Sequence, residues 1–433
     1  METLKHSGLI LAVALGLPLS GCSTDDIVRV NIPDVIPPGN LASADGATAL
    51  RNGAIGDFAF AIDGDGGGTE GQTLVSGLMT DEYRNSDTFG TRQEIDQRAI
   101  EVANVTLTGV FRNRHRARLG AERAATALEA TSKDPDPRIA EMHNLAAFTY
   151  VIAGENYCSG VPFPAEGEAS APPIATTEIF NQAIARFDKA LADTGGSSTQ
   201  AWTARVGKAR ALVDLGQFAA AATVVASVPT GFHYQIGHSI NTQREQNGVY
   251  VFNALSKRWS MSDLEGGNGL PFLSSNDPRT PHTVGGNGFD AVTPLAVLLK
   301  YTDYSTPTNL ADGVEARLVE AEAALQAGDV TTWLAKLNGL RATVSGLSPL
   351  TDPGTADGRV DLTFSERAFW LFATGHRLGD MRRLIRQYGR NAETVFPTGA
   401  FFKGGVYGTD VNLPVPKDEQ NNPSFTGCLN RDP

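Results

Sequence analysis

Three times the chain places a small residue seven positions before a glycine: Ala147 before Gly154, Ala209 before Gly216, and Ala321 before Gly328. In the latter two a second helical stretch begins at once. Gln217–Val228 carries Phe218, Ala221, Ala222, Val225 and Val228 on one face, and Asp329–Val344 carries Trp333, Leu337, Leu340 and Val344. Small residues let two helices approach closely, and glycine accepts the backbone conformation that ends a helix. The pattern predicts antiparallel helical hairpins and a mainly α fold. After Gly154 the second helix is delayed by Glu155–Ala175, which holds Cys158 and four prolines. It resumes at Thr176 with Phe180, Ile184, Phe187 and Leu191 in helical steps.

These hairpins resemble the tetratricopeptide helix-turn-helix. The glycines lie 62 and 112 residues apart, so they form degenerate repeats with insertions and not a regular array.

Thr363–Gly389 predicts one long helix with a soft spot at Gly375. Thr363 with Glu366 has the spacing of a capping box. Leu371, Leu378, Met381, Ile385 and Tyr388 share a face, and Arg377, Arg382, Arg383 and Arg386 lie elsewhere on the wheel as a solvated basic flank. Within it, Glu366-Arg367, Gly375-His376-Arg377 and Asp380-Met381-Arg382-Arg383 resemble the C-terminal signature helix of SusD/RagB-family lipoproteins. Three further stretches are similar to that family. Asn31-Ile32-Pro33-Asp34 precedes a helix at 44–61, with Leu50, Ile55, Phe58 and Ile62 as core positions. Arg138–Phe163 reads as the family's early helix ending in a Gly-Val-Pro turn. The tail runs from Leu413-Pro414-Val415-Pro416 to Asn421-Asn422-Pro423. The resemblance spans the chain and is weakest between 230 and 310. It implies tetratricopeptide-like hairpins on one side and irregular insertions on the other. It also implies a surface protein that binds an oligomeric nutrient, a glycan or peptide, and passes it to a SusC-like TonB-dependent outer-membrane transporter.

The N-terminus fits that reading. Lys5 precedes an apolar run of ten, Gly8–Leu17, which is too short to span a bilayer. Leu19-Ser20-Gly21-Cys22 then matches a bacterial lipobox, with cleavage before Cys22 and lipid attachment to it. We expect residues 1–21 to be a signal peptide, 22–42 a lipid-anchored tether and lead-in, and 43–433 a single domain. The hairpins would occupy about 138–228 and 313–344, and the insertion about 230–310. By the family's sorting rule, Ser23 after the cysteine is compatible with the outer membrane and the cell surface. The net charge of −12 argues against nucleic acid as a partner. With Cys22 lipidated, Cys158 and Cys428 remain. They are either two buried thiols or a disulfide, and export favours the bond, which would contribute roughly 4–5 kcal/mol on a chain-entropy model.

Other stretches are plainer. Asp63–Gly68 lacks the later ligands of a calcium loop and the Lys-Ser/Thr of a phosphate loop, so it reads as a turn. Thr73–Thr80 is a short helix broken by Asp81–Phe89. Arg98–Thr131 reads as one long helical region, with most of Arg112, Arg114, Arg116 and Arg118 solvated or salt-bridged. Thr230–Leu310 is too long for a loop and reads as a folded irregular insertion, with Val249–Leu255 and Thr293–Tyr301 as its regular pieces.

No His-Glu-x-x-His, Gly-x-Ser-x-Gly or Cys-x-x-Cys occurs, and neither metal nor cofactor is implied. His376 reads as a core or capping residue, and Trp333 and Trp370 as packing. The chain is read as a binder and not an enzyme. Sugars offer apolar ring faces and many hydroxyls, which aromatic side chains and neighbouring polar groups satisfy. In the family such a site is made by exposed aromatics on irregular loops. The candidates here are Tyr83, Phe89, Trp259, Tyr301 and Tyr304, with Arg92, Asn85, Arg258 and Asp263 as polar partners. The other reading is a tetratricopeptide-type scaffold of an outer-membrane assembly machine. It would need a bare concave groove where a nutrient binder needs loops with exposed aromatics. A third reading, a hydrolase, would need carboxylates clustered in a cleft.

Overall fold

The computed structural model describes residues 42–133, 135–425 and 427–428. The expected signal peptide, lipobox and Asn31–Asp34 opening lie outside them.

α1 (Ala44–Asp63) starts on Ser43, whose hydroxyl accepts from the Gly46 amide, and it buries Phe58 and Ile62. A turn leads to α2 (Gln72–Met79), β1 (Tyr83–Asn85) and α3 (Gly90–Asp96). α4 (Val105–Thr131) is shorter than the predicted 98–131 region. Asn104 caps its first turn, while Arg98 is buried in the preceding loop and donates to the carbonyls of Asp410 and Pro397. Most of its arginines are as expected, Arg112 paired with Asp418 and Arg118 with Glu122. Arg112 and Arg116 are exposed, but Arg114 is buried with its guanidinium 5.1–5.4 Å from the rings of Phe111, Tyr157 and Phe163.

α5 (Pro137–Asn156) opens on Asp136 with proline at the first helical position, where its missing N–H costs nothing. The strands β2 (Val161–Pro162) and β3 (Pro173–Ile174) close the delayed connection to α6 (Thr176–Ala192). α7 (Ser198–Asp214) and α8 (Phe218–Val225) form the second hairpin. Gly216 turns it at φ 72°, and Gly328 turns the third hairpin at φ 73°. Gly154 does something else. It lies inside α5, and a Cβ there would sit 2.6 Å from the Phe180 ring, so it serves close packing and not the turn. Cys158 and Cys428 are disulfide-bonded, which ties the tail to the exit of the first hairpin helix.

The insertion leaves and re-enters the hairpin stack through one antiparallel pair, β4 (His233–Ile236) with β8 (Thr308–Asp312). Between them lie a helical turn at Gly248–Leu255, β5 (Trp259–Met261), β6 (His282–Asn287) and β7 (Pro294–Leu298). β5 pairs with β1, and β6 with β7. α9 (Gly313–Gln326) and α10 (Val330–Arg341) follow as the third hairpin. They bury Leu318, Trp333, Leu337 and Leu340 in a small core of their own.

The predicted 363–389 helix is two helices. α11 (Ala356–Trp370) begins on Thr355, eight residues before the predicted start, and α12 (Arg377–Tyr388) ends on Gly389 in the left-handed conformation. Leu371–His376 breaks the chain between them, with Ala373 at φ 57° and Gly375 at φ 77°. Thr363 and Glu366 therefore form no capping box. The Thr363 hydroxyl donates to Arg359 O and accepts from Trp333 Nε1, and Glu366 accepts from Arg279 and Arg341.

The predicted solvated flank is mostly buried. Arg377 grips Asp81 with two bonds of 2.7 and 2.8 Å. Arg382 reaches the end of α5. Arg383 pairs with Glu322 and Asp380, and Arg386, partly exposed, pairs with Asp214. Burial works against the Asp380 carboxylate, but Arg367 and Arg383 prevail and hold its pKa well below the usual range. α12 thus joins the second and third hairpins and the loop before β1 through charge pairs, and the first hairpin through the Arg382 bonds to the Gly154 and Glu155 carbonyls; desolvation makes each buried pair count only if fully satisfied.

Candidate functional site

β1 and β5 pair with Asn85 opposite Trp259. The residues leaving β1 and those entering β5 therefore emerge side by side. The Ser86 amide donates to Arg258 O at 3.0 Å, and its hydroxyl to Lys257 O at 2.8 Å. The tip of the β6–β7 hairpin folds onto the same place. The Phe289 amide donates to Lys257 O at 2.8 Å and the Asp290 amide to Ser86 O at 3.0 Å. Gly288 lets this happen, since a Cβ there would lie 2.2 Å from that of Ser86.

Three loops thus present Phe89, Arg258 and Phe289 together. The Arg258 guanidinium lies 4.0 Å from the Phe289 ring centroid and 5.3 Å from that of Phe89. Arg258 is held from below by Asp87, to which Nη1 donates at 2.8 and 2.9 Å. Asp87 also accepts from Arg92, which pairs with Glu70 and lies 4.7 Å from the Phe89 ring. Phe89 and Phe289 remain 52% and 50% exposed. Lys403 extends the patch. Its Nζ donates to Asp87 O at 2.7 Å and pairs with Asp290 at 2.7 Å, beside Phe402, which is 38% exposed. Burial raises the Asp290 carboxyl, but Lys403, the Thr293 hydroxyl and the Thr293 and Val292 amides outweigh it and lower its pKa to about 2. Stacking surface is thus interleaved with cations, which suits a ligand with ring faces and oxygen acceptors.

The structure divides the sequence candidates. Phe89 stands on the patch, with Arg92 buried under it. Tyr83, Trp259 and Tyr301 are not exposed aromatics; all three are buried. β5 is covered on both faces, so Trp259 meets Tyr83 and Phe252 edge-on at 6.3 and 6.0 Å, and Tyr301 donates its hydroxyl to Ala373 O. Tyr304 is 37% exposed and packs edge-on to Tyr250. Among the proposed polar partners, Asn85 is buried and Asp263 caps the amides of Leu273 and Ser274; Arg258 is on the patch. Phe289, Phe402 and Lys403 were missed. Phe289 lies in Gly285-Gly286-Asn287-Gly288-Phe289-Asp290, where an aromatic among turn residues is the one local signal of exposure.

A cavity of about 490 Å³ lies elsewhere, against α4, and includes Phe111, Leu119, Arg116 and Pro416 in its walls. Two of its cations are already claimed, Arg112 by Asp418 and Arg123 by Glu166. The loop patch is the better candidate because it gathers two half-exposed rings, Phe89 and Phe289, around one guanidinium. Among the described residues no group of three or more His, Cys, Asp or Glu side chains could hold a metal ion.

No protein-family model matches the chain, and no curated protein matches it. Solved structures do. A SusD superfamily protein from Bacteroides fragilis aligns at a TM-score of 0.67 and 14% identity over 89% of this chain and 99% of that one. One from Parabacteroides distasonis aligns at 0.66 and 14%, over 89% and 98%. A SusD-like carbohydrate binding protein from Bacteroides vulgatus aligns at 0.57 and 15%, over 78% and 82%. At this identity the likeness establishes the fold.

Proposed function

We propose that this chain, whose fold is the mainly α, tetratricopeptide-like SusD fold, is a binding protein for an oligomeric glycan. It would act without making or breaking bonds. One of its structural neighbours is described as a carbohydrate binding protein. The observation that carries the reading is the Phe89–Arg258–Phe289 cluster, exposed on loops of the insertion and its neighbour β1. A scaffold reading would want a bare groove, and here the insertion is folded over the body through β4–β8 and β1–β5. The carboxylates at the patch are engaged by Arg92, Arg258 and Lys403, which suits holding a ligand more than cleaving one.

In the same reading the protein is anchored by lipid at Cys22 to the outer membrane, on the cell surface, and hands its ligand to a SusC-like TonB-dependent transporter. The sequence from Lys5 to Cys22 supports the anchor, and the fold supports the partnership. The test has two arms. Soluble protein beginning at Ser23 is screened against glycans and peptides, and full-length protein is purified from native membranes. Glycan binding with co-purification of a large barrel protein is the expected result. Peptide binding alone, or an assembly-machine partner, would overturn it.

A further inference from the structure

We propose that the patch takes an acidic glycan, one carrying uronate or sulfate groups; this rests on the glycan-binding reading above. The charges at the site lie at different depths. The acids are sealed inside, with side-chain exposures of 0% for Asp87 and 8% for Glu70 and Asp290. Of the cations, Arg92 lies as deep at 4%, while Arg258 at 23% and Lys403 at 14% are nearer the surface. Lys257, the neighbour of Arg258, is exposed and has no ion-pair partner among the described residues.

The three acids and the three paired cations cancel in number, so Lys257 leaves the patch with one excess positive charge on a chain of net charge −12. Such a local reversal steers and retains an anionic ligand, which the rest of the surface repels. The exposed aromatics are phenylalanines, without hydroxyl or indole N–H, so polar recognition falls to Arg258, Lys257 and the backbone. A guanidinium fixed by Asp87 below and Phe289 beside it is already oriented, and charge-assisted bonds to carboxylate or sulfate are the strong ones it can make. A neutral sugar would use the ring faces but leave these donors to weaker hydroxyl acceptors.

The experiment is binding of the protein from Ser23 to an array of neutral oligosaccharides, oligouronates and sulfated oligosaccharides, at about 50 and 300 mM salt, where screening differs severalfold. The hits should be acidic, weaken about tenfold at the higher salt, and weaken again in Lys257→Gln, an exposed site where folding is not at issue. The uronate and sulfate arms tell the two sources of charge apart. Neutral hits bound equally at both salts and by Lys257→Gln would overturn the acid preference and leave the glycan reading standing. Binding to no glycan would overturn both.

Discussion

Arg382, on α12, donates from Nη1 to the carbonyl oxygens of Glu155 at 2.5 Å and Gly154 at 2.9 Å, and so caps the end of α5 from across the molecule. Glu155 in turn holds Arg210 of α7 through two bonds of 2.5 Å, and Arg210 meets His376 Nε2 at 2.7 Å. The ends of two hairpins are locked by one buried helix.

Arg382→Met should therefore destabilise the fold by about 2–4 kcal/mol, because it strips two buried carbonyls of their charged donor. Arg112→Met is the control. That side chain is 68% exposed in its pair with Asp418, so its loss should cost less than about 1 kcal/mol. Urea unfolding of the two variants separates these values.

Glu82 should contribute a loss of stability as pH rises above about 4.5. Burial, with Asp81 adding to it, pushes the Glu82 pKa up to about 8 against the opposition of the Ala373 amide, Arg377 and Lys300. The folded chain then keeps a proton that the unfolded chain has released, so unfolding is favoured by up to about 1.4 kcal/mol per pH unit between about 4.5 and 8. Asp214, raised to about 7 chiefly by burial, acts in the same direction. Glu82→Gln should flatten part of this slope. Urea midpoints at about pH 5 and pH 8 measure it, and a slope unchanged by the substitution would refute the assignment to Glu82.

Trp259→Ala should lower stability by about 3–5 kcal/mol, because the ring is fully buried between Tyr83 and Phe252. Ligand affinity of the folded fraction should change little. Thermal melts read beside binding isotherms check both halves.

The hairpins were legible because their information is local. Gly216 and Gly328 end helices where periodic stretches stop, and Thr176 restarts one where Phe180 and Phe187 resume the period. Gly154 was misread for lack of a long-range fact, that Phe180 lies against it. The same gap explains α12. Its arginines look like a solvated flank in a helical projection because their partners, Asp81, Glu155, Asp214 and Glu322, are distant in sequence. The break at Leu371–His376 is a further case, since the Ala373 amide is engaged by Glu82 nearly three hundred residues earlier. At the candidate site Phe89 could be named because it follows a helix break. Tyr83 and Trp259 sit in short strands whose burial on both faces no alternation revealed. Phe289 was hidden in a glycine-rich tip without periodicity.

The ligand is proposed to land on the exposed rings of Phe89 and Phe289. The most direct measurement is calorimetric titration of the strongest-binding oligosaccharide into the wild-type protein and Phe289→Ala, with thermal midpoints recorded for both. The ring is half exposed, so the midpoint should barely move while affinity falls by about tenfold or more. Equal affinity at equal stability would contradict the placement of the site.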